Sequence, residues 1–77
     1  MNTLIDTPKT AELSGDQIVV TMTSGESFSF PCSEYQRLAS ASQAERSEIE
    51  LSPFGLHWPQ LDEDLAVGPL RQRHANR

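Results

Sequence analysis

The sequence has one cysteine, few aromatic residues and no long apolar run. Because Cys32 is the only cysteine among 77 residues, no intramolecular disulfide can form. One cysteine and two histidines also cannot supply the about four ligands of an ordinary zinc site. No stretch reaches the about 18 apolar residues of a membrane-spanning helix, and residues 1–9 lack the pattern of a secretory signal. We therefore expect a cytoplasmic protein with no membrane association, no bound metal and no cofactor.

Basic residues are also scarce, and they are unevenly placed. The chain has six Lys and Arg residues against eleven Asp and Glu, for a net charge of -5. Residues 1–9 are neutral, residues 10–70 hold ten acids and two arginines (-8), and residues 71–77 hold three arginines (+3). A body of this charge repels phosphates, so direct nucleic acid binding is not expected. The acidity favours a protein partner with a basic surface instead.

The length permits a single small domain. We place it at residues 10–70, between a flexible lead-in at residues 1–9 and a flexible basic tail at residues 71–77. A domain of this size buries only about 60–65% of the surface that its unfolded chain exposes, so its stability is expected to be marginal. Either a lean core suffices for a monomer, or a homodimer or another partner supplements it.

The first half of the domain alternates between apolar and polar residues. Alternation is clearest over residues 17–23, and it is also present over residues 11–13 and 28–30. Glycine-containing turns at Gly15 and Gly25 separate these segments. Short strands joined by such turns are typical of an antiparallel meander. Phe28 and Phe30 then share one face, which we interpret as sheet core and not as a platform for RNA bases.

Two capping-box patterns follow Pro31, which should end the third strand. The pattern that begins at Ser33 predicts a helix over about residues 34–41. The pattern that begins at Ser42 predicts a shorter helix over about residues 43–48.

Residues 49–52 and 56–58 can form short extended segments after these helices. The chain is therefore predicted to be α+β: a small antiparallel β-meander of about three strands, packed against two short helices, with one or two short C-terminal strands. The pattern of the first three strands carries most of this prediction.

The segment around residue 57 holds the densest set of candidate site residues. His57 could act as a general base oriented by Asp62, and the run Asp62, Glu63 and Asp64 could hold a hard cation or another ligand. A structural interpretation competes with this one. Trp58 would anchor the core, and Asp62 would be the N-cap of a following turn. We therefore treat all five residues as candidate binding residues, and assign no catalytic residue and no metal ligand.

Other catalytic signatures are missing from the sequence. Neither a nucleophile elbow nor a glycine-rich phosphate loop is present. The acid Glu34, close to Cys32, would raise the pKa of the thiol, so we expect this cysteine to be inert and partly buried.

The segment Leu56-His57-Trp58-Pro59-Gln60-Leu61-Asp62-Glu63-Asp64-Leu65-Ala66-Val67 resembles the ending of a bacterial family called domain of unknown function 2442. The strand and turn around residues 23–26 and the helical centre at residues 37–46 are similar to that family as well. The resemblance extends from about Ala11 to Leu70. Ser24-Gly25 stands where an acidic residue and glycine are usual, and residues 71–73 follow where many members end.

The resemblance implies a small α+β protein and provides no catalytic residues. Members of the family are often found beside another short reading frame, and an antitoxin-like role has been suspected for them. Our first hypothesis is therefore a non-catalytic interaction or regulatory module, antitoxin-like, that masks a basic partner. The alternative is a regulator that binds a small molecule or metal through His57 and the segment Asp62 to Asp64.

Overall fold

The computed structural model describes residues 6–74, which form two three-stranded antiparallel sheets and three short helices. The first sheet contains β1 (Pro8–Ser14), β2 (Gln17–Met22) and β3 (Ser27–Pro31), and the second contains β4 (Glu50–Ser52), β5 (Gly55–Trp58) and β6 (Glu63–Ala66). Between the sheets in sequence lie a 3-10 turn (Cys32–Glu34), α1 (Gln36–Ala39) and α2 (Gln43–Ser47), and α3 (Val67–His74) follows β6. The predicted α+β class is confirmed. The second sheet has three strands where one or two were predicted, and α3 was not foreseen.

The first sheet follows the alternation of its sequence. Its strands are ordered β1-β2-β3, and Val20 lies opposite Phe28 while Ile18 lies opposite Phe30. These four side chains are buried on one face, as the pattern predicts. The turn between β2 and β3 depends on Gly25, whose φ of 96° lies in a region that L side chains rarely adopt.

The two predicted capping boxes have different outcomes. The second is confirmed: Ser42 Oγ accepts from the Glu45 amide at 3.1 Å, and Glu45 Oε1 accepts from the Ser42 amide at 2.9 Å. The first is wrong, because Tyr35 is extended (φ -123°) and α1 begins only at Gln36. Packing against the sheet overrides the local signal here. The Tyr35 ring lies edge-on to Phe30 with 5.4 Å between centroids.

One cluster of buried side chains connects the two sheets with α1 and α3. Its largest fully buried member is Trp58, and Leu38 from α1 and Leu70 from α3 pack into the same cluster. No helix within residues 6–74 is long and apolar enough to cross a membrane.

Regular structure extends on both sides of the predicted domain 10–70. β1 begins at Pro8, and α3 continues to His74, where a flexible lead-in and tail were expected. The two ends are tied together: Asp6 accepts hydrogen bonds from Ser24 and Thr23 and lies 2.9 Å from Arg71 of α3. The remaining parts of the predicted flexible segments, residues 1–5 and 75–77, lie outside the described residues.

Candidate functional site

The candidate residues belong to the hairpin formed by β5 and β6. Along β5, alternation sends Leu56 and Trp58 into the core and leaves His57 on the opposite face, which we call the outer face of the second sheet. In the ladder, His57 stands opposite Asp64 on β6 and opposite Glu50 on β4. Glu50, His57 and Asp64 therefore form one row across all three strands, which we call the acidic row.

His57 is hydrogen-bonded within this row. Its Nδ1 lies 2.8 Å from Asp64 Oδ1, and the imidazole is 35% exposed while the Asp64 side chain is 78% exposed. The pair is therefore open to solvent on the outer face of the second sheet. Asp62, which the sequence suggested as the orienting carboxylate, does not make this contact in the structure; Asp64 does.

Trp58 lies on the other side of the same strand and is fully buried. Its indole Nε1 donates to the Arg46 carbonyl at 3.0 Å, which joins β5 to α2 and satisfies the only polar atom of the side chain. This position agrees with the interpretation that Trp58 anchors the core, and a ligand at the surface cannot reach its ring.

Asp62 occupies the turn between β5 and β6, with a φ of 52°. The prediction that it caps a following helical turn is wrong, because a strand begins at Glu63. Arg37 fixes this turn from α1: its Nη1 donates to the carbonyls of Leu61 (3.0 Å) and Asp62 (3.2 Å). Its Nε also lies 3.9 Å from Glu63 Oε1.

The side chains of the three consecutive acids, Asp62, Glu63 and Asp64, therefore lie in different environments. Successive residues of a strand point to opposite faces, so Glu63 turns toward Arg37 while Asp64 joins His57 on the outer face. Within residues 6–74 no group of three His, Cys, Asp or Glu side chains is placed to hold a metal ion. The run that appears dense in the sequence is therefore dispersed in space.

Sequence reasoning missed two residues that the fold brings to this hairpin. Glu50 joins the acidic row through strand pairing, for which the only signal was the alternation of residues 49–52. Phe54, in the turn between β4 and β5, has 78% of its surface exposed. Its position beside Pro53 and Gly55 could have been recognised as an aromatic residue at a turn tip.

A shallow polar groove of about 610 Å³ lies between α1, α2 and the β5–β6 turn. Its lining includes Gln36, Arg37, Glu45 and Gln60. The one cation in the lining, Arg37, already donates to two carbonyl groups. The groove therefore lies at the junction of α1 with the β5–β6 turn, which Arg37 connects.

Cys32 is fully buried, and burial raises the pKa of its thiol above the ordinary value. A thiol in this state is a poor nucleophile at neutral pH. Its position agrees with the expectation of an inert residue.

Comparison with known proteins places the chain in a family. The model of a protein family of unknown function, DUF2442, matches residues 9–73, which is most of the chain. A crystal structure of a protein of unknown function from Rhodospirillum rubrum ATCC 11170 is similar, with a TM-score of 0.82 and 26% sequence identity over 94% of this chain and 92% of that one. No curated protein matches the sequence. The chain therefore belongs to the DUF2442 family, as its resemblance in the β5–β6 segment indicated.

Proposed function

We propose that the protein is a non-catalytic interaction module that binds a basic surface of a partner protein. The observation that carries the proposal is a difference between the basic and the acidic side chains. The described arginines are used within the fold, whereas several acids project outward without an arginine or lysine beside them.

The arginines act as internal connections. Arg46 is only 14% exposed, and it donates to the carbonyls of Leu38 (2.8 Å) and Ala39 (3.2 Å), so it closes the C-terminal end of α1. Arg71 of α3 pairs with Asp6 before β1 and with Glu26 before β3, and Arg73 pairs with Glu34 of the 3-10 turn. Each of these arginines therefore has a hydrogen-bonding or ionic partner within the fold.

Several acids have the opposite arrangement. Glu12, Glu48, Glu50 and Asp62 are exposed, and within residues 6–74 none of them has a Lys or Arg nitrogen within 4.0 Å. Exposed, uncompensated charge of one sign accelerates encounter with a surface of the opposite sign and orients the complex.

The geometry around His57 supports binding more than catalysis. The imidazole lies on an open sheet face, and its only side-chain hydrogen bond in the described chain is to Asp64. A nucleophile and a set of oxyanion donors converging on one point would be needed for acyl or phosphoryl transfer. The row instead presents acceptor oxygens, which suit ammonium and guanidinium groups.

An antitoxin is one kind of protein that works by covering a basic partner. The suspicion attached to this family makes the product of the neighbouring gene the first partner to test. We infer that such a partner would be bound through the acidic surface and not through a catalytic residue of this chain.

The test is to co-express the protein with the product of the neighbouring gene and to measure binding by calorimetry at about 50 and about 300 mM salt. At the higher concentration the Debye length is well below 10 Å, so exposed charges are screened. We expect a complex whose Kd rises with salt. The absence of any complex, or a Kd indifferent to salt, would contradict an electrostatic interaction module.

A further inference from the structure

Strand β6 is an edge of the second sheet, because β5 is its only strand neighbour within the described residues. The Val67 amide donates to the Phe54 carbonyl at 2.9 Å, so these two residues form a hydrogen-bonded antiparallel pair. Such pairs alternate with pairs that exchange no hydrogen bond, and the register places Asp64 and Ala66 in the second type. The N–H and C=O groups of these two residues therefore point away from β5.

These four backbone groups lie at the surface of the molecule. Asp64 and Ala66 are both exposed, and no other backbone segment of residues 6–74 pairs with them. A row of unpaired N–H and C=O groups on an edge strand is the template on which an added strand forms its hydrogen bonds. The edge of β6 can therefore accept one more strand without any change in the sheet.

The side chains of β6 determine which strand fits this edge. Asp64 belongs to the acidic row on the outer face, whereas Leu65 points to the opposite face and is half-buried at the rim of the core. Cβ atoms of residues that stand opposite each other on neighbouring strands are only about 4.5–5.5 Å apart. A complementary strand therefore has a basic residue opposite Asp64 and an apolar residue opposite Leu65.

A second copy of this chain does not meet that requirement. Only Asp64 and Ala66 direct their backbone groups outward, so in a pair of β6 strands Asp64 of one copy faces either Asp64 or Ala66 of the other. Neither residue supplies a positive charge, and the first arrangement places like charges directly opposite each other, which destabilises a sheet. The acid on this edge thus disfavours self-association and favours a basic strand.

We propose that β6 binds an extended segment of the partner protein as a fourth, antiparallel strand, with a lysine or arginine opposite Asp64. The inference rests on the function proposed above and names the binding element and the partner chemistry. The antiparallel arrangement continues the pattern of the sheet. The added strand exchanges two hydrogen bonds with Asp64 and two with Ala66, and its alternating basic and apolar side chains provide the specificity.

The probe is a peptide of about eight residues, the length of an ordinary strand, in which lysine and valine alternate. Two versions with equal composition and charge are compared. In one, the lysine amides, which face β6 in the proposed complex, are N-methylated; in the other, the valine amides, which face away, are N-methylated. The valine-methylated peptide should bind, and the lysine-methylated peptide should bind at least about tenfold more weakly, because it cannot donate to the edge. Equal binding of both, or no binding of either, would overturn the proposal.

Amide hydrogen exchange of the 15N-labelled protein locates the peptide. In the free protein, the amides of Asp64 and Ala66 should exchange faster than that of Val67, which is bonded to β5. The valine-methylated peptide at about ten times its Kd should slow exchange at Asp64 and Ala66 about tenfold. Slow exchange at both positions in the concentrated free protein would indicate self-pairing, and unchanged exchange on binding would place the peptide elsewhere. Either result rejects the proposed complex.

A proline variant tests the edge from the side of the protein. Ala66→Pro removes one outward N–H group and leaves the hydrogen bonds between β5 and β6 in place. It should weaken peptide binding at least about tenfold, whereas Ala66→Val retains the N–H group and should change Kd less than about twofold. Asp64→Asn should weaken binding about threefold, since an exposed ion pair contributes modestly. Spectra of each free variant verify the fold, and the two methylated peptides decide the question if the proline variant does not fold.

The outcomes separate this inference from the proposed function. If the product of the neighbouring gene binds in a salt-dependent way and Ala66→Pro leaves its Kd unchanged, strand addition is rejected although the interaction module stands. If that product does not bind but the valine-methylated peptide protects Asp64 and Ala66 from exchange, the edge of β6 stands as a strand-binding site and the proposed function fails.

Discussion

At the scale of single residues, strand alternation decides what each side chain can do. His57 and Trp58 are neighbours in sequence, yet one lies in the acidic row and the other is the largest buried side chain. Both assignments follow from the period of two residues along β5. From the sequence, both His57 and Trp58 were candidate site residues. Only the register of the hairpin shows that Asp64, and not Asp62, contacts the imidazole.

Gly55 is a second single-residue case, because the close approach of two strands leaves no space for a side chain at this position. A Cβ built at this position would lie 2.7 Å from the Leu65 carbonyl oxygen, and that oxygen belongs to the backbone of β6. We predict that Gly55→Ala lowers the free energy of unfolding by about 1–3 kcal/mol, because β5 and β6 must separate to admit the methyl group. Thermal unfolding measures the loss.

Gly68→Ala is the matched control for this substitution. A Cβ at Gly68 meets nothing within 4 Å, and the residue lies in the first turn of α3. Alanine is favoured over glycine in helices by up to about 1 kcal/mol, so we expect a melting temperature equal to or above that of the unmodified chain. Equal losses in the two variants would show that close strand approach is not the cause.

At the scale of elements, the local signals succeeded where they did not conflict with packing. The capping box at Ser42 and the alternation of β2 and β3 agree with the contacts these elements make. The signal at Ser33 failed because Tyr35 is held extended against Phe30. Tertiary contacts of this kind are not visible in a local sequence window.

α3 was missed for a related reason. Gly68 and Pro69 suggest a break, but both lie in the first turn of the helix, where proline has no hydrogen bond to lose. Val67 and Leu70 are buried, and the Tyr35 hydroxyl lies 2.8 Å from His74 Nε2 near the C-terminal end. Packing, more than intrinsic propensity, therefore stabilises this helix.

The second capping box gives a prediction for α2. Ser42→Ala removes the acceptor of the Glu45 amide, and we expect a loss of about 0.5–2 kcal/mol in the free energy of unfolding. Chemical denaturation measures it. Ser47→Ala, in the last turn of the same helix, removes a hydroxyl that bonds only the Ala44 carbonyl and should cost less than about 0.5 kcal/mol. Similar losses for both serines would argue against a specific role of the cap.

At the scale of the whole molecule, ion pairs connect the first and the last elements of the described chain. Arg71 of α3 contacts Asp6 before β1 and Glu26 directly before β3. The net charge of -5 does not show which acids and bases are paired in the fold. The uneven distribution of charge along the sequence suggested such pairing but did not identify the partners. The predicted basic tail is in part a structural clamp, because two of its three arginines bind acids of the first half of the chain.

This clamp predicts a pH dependence that belongs to the entire fold. Hydrogen bonds from Ser24 and Thr23, with the Arg71 charge, lower the pKa of Asp6 from 3.8 to about 2. Between these pKa values the unfolded chain binds more protons than the folded one, so the free energy of unfolding rises with pH there. The contribution of Asp6 is complete above pH 3.8 and is lost as the pH falls through about 2.

Asp6→Asn should therefore destabilise the protein most at pH 5 and progressively less toward pH 2, where the native carboxyl is itself protonated. Melting temperatures of the two proteins, measured across this range, should converge as the pH falls. Glu12→Gln, in an exposed part of β1, should give a curve parallel to that of the unmodified chain. A constant difference between Asp6→Asn and the unmodified chain at every pH would mean that the clamp is not held by an ionised carboxylate, and the link between the two ends of the fold would then rest on packing alone.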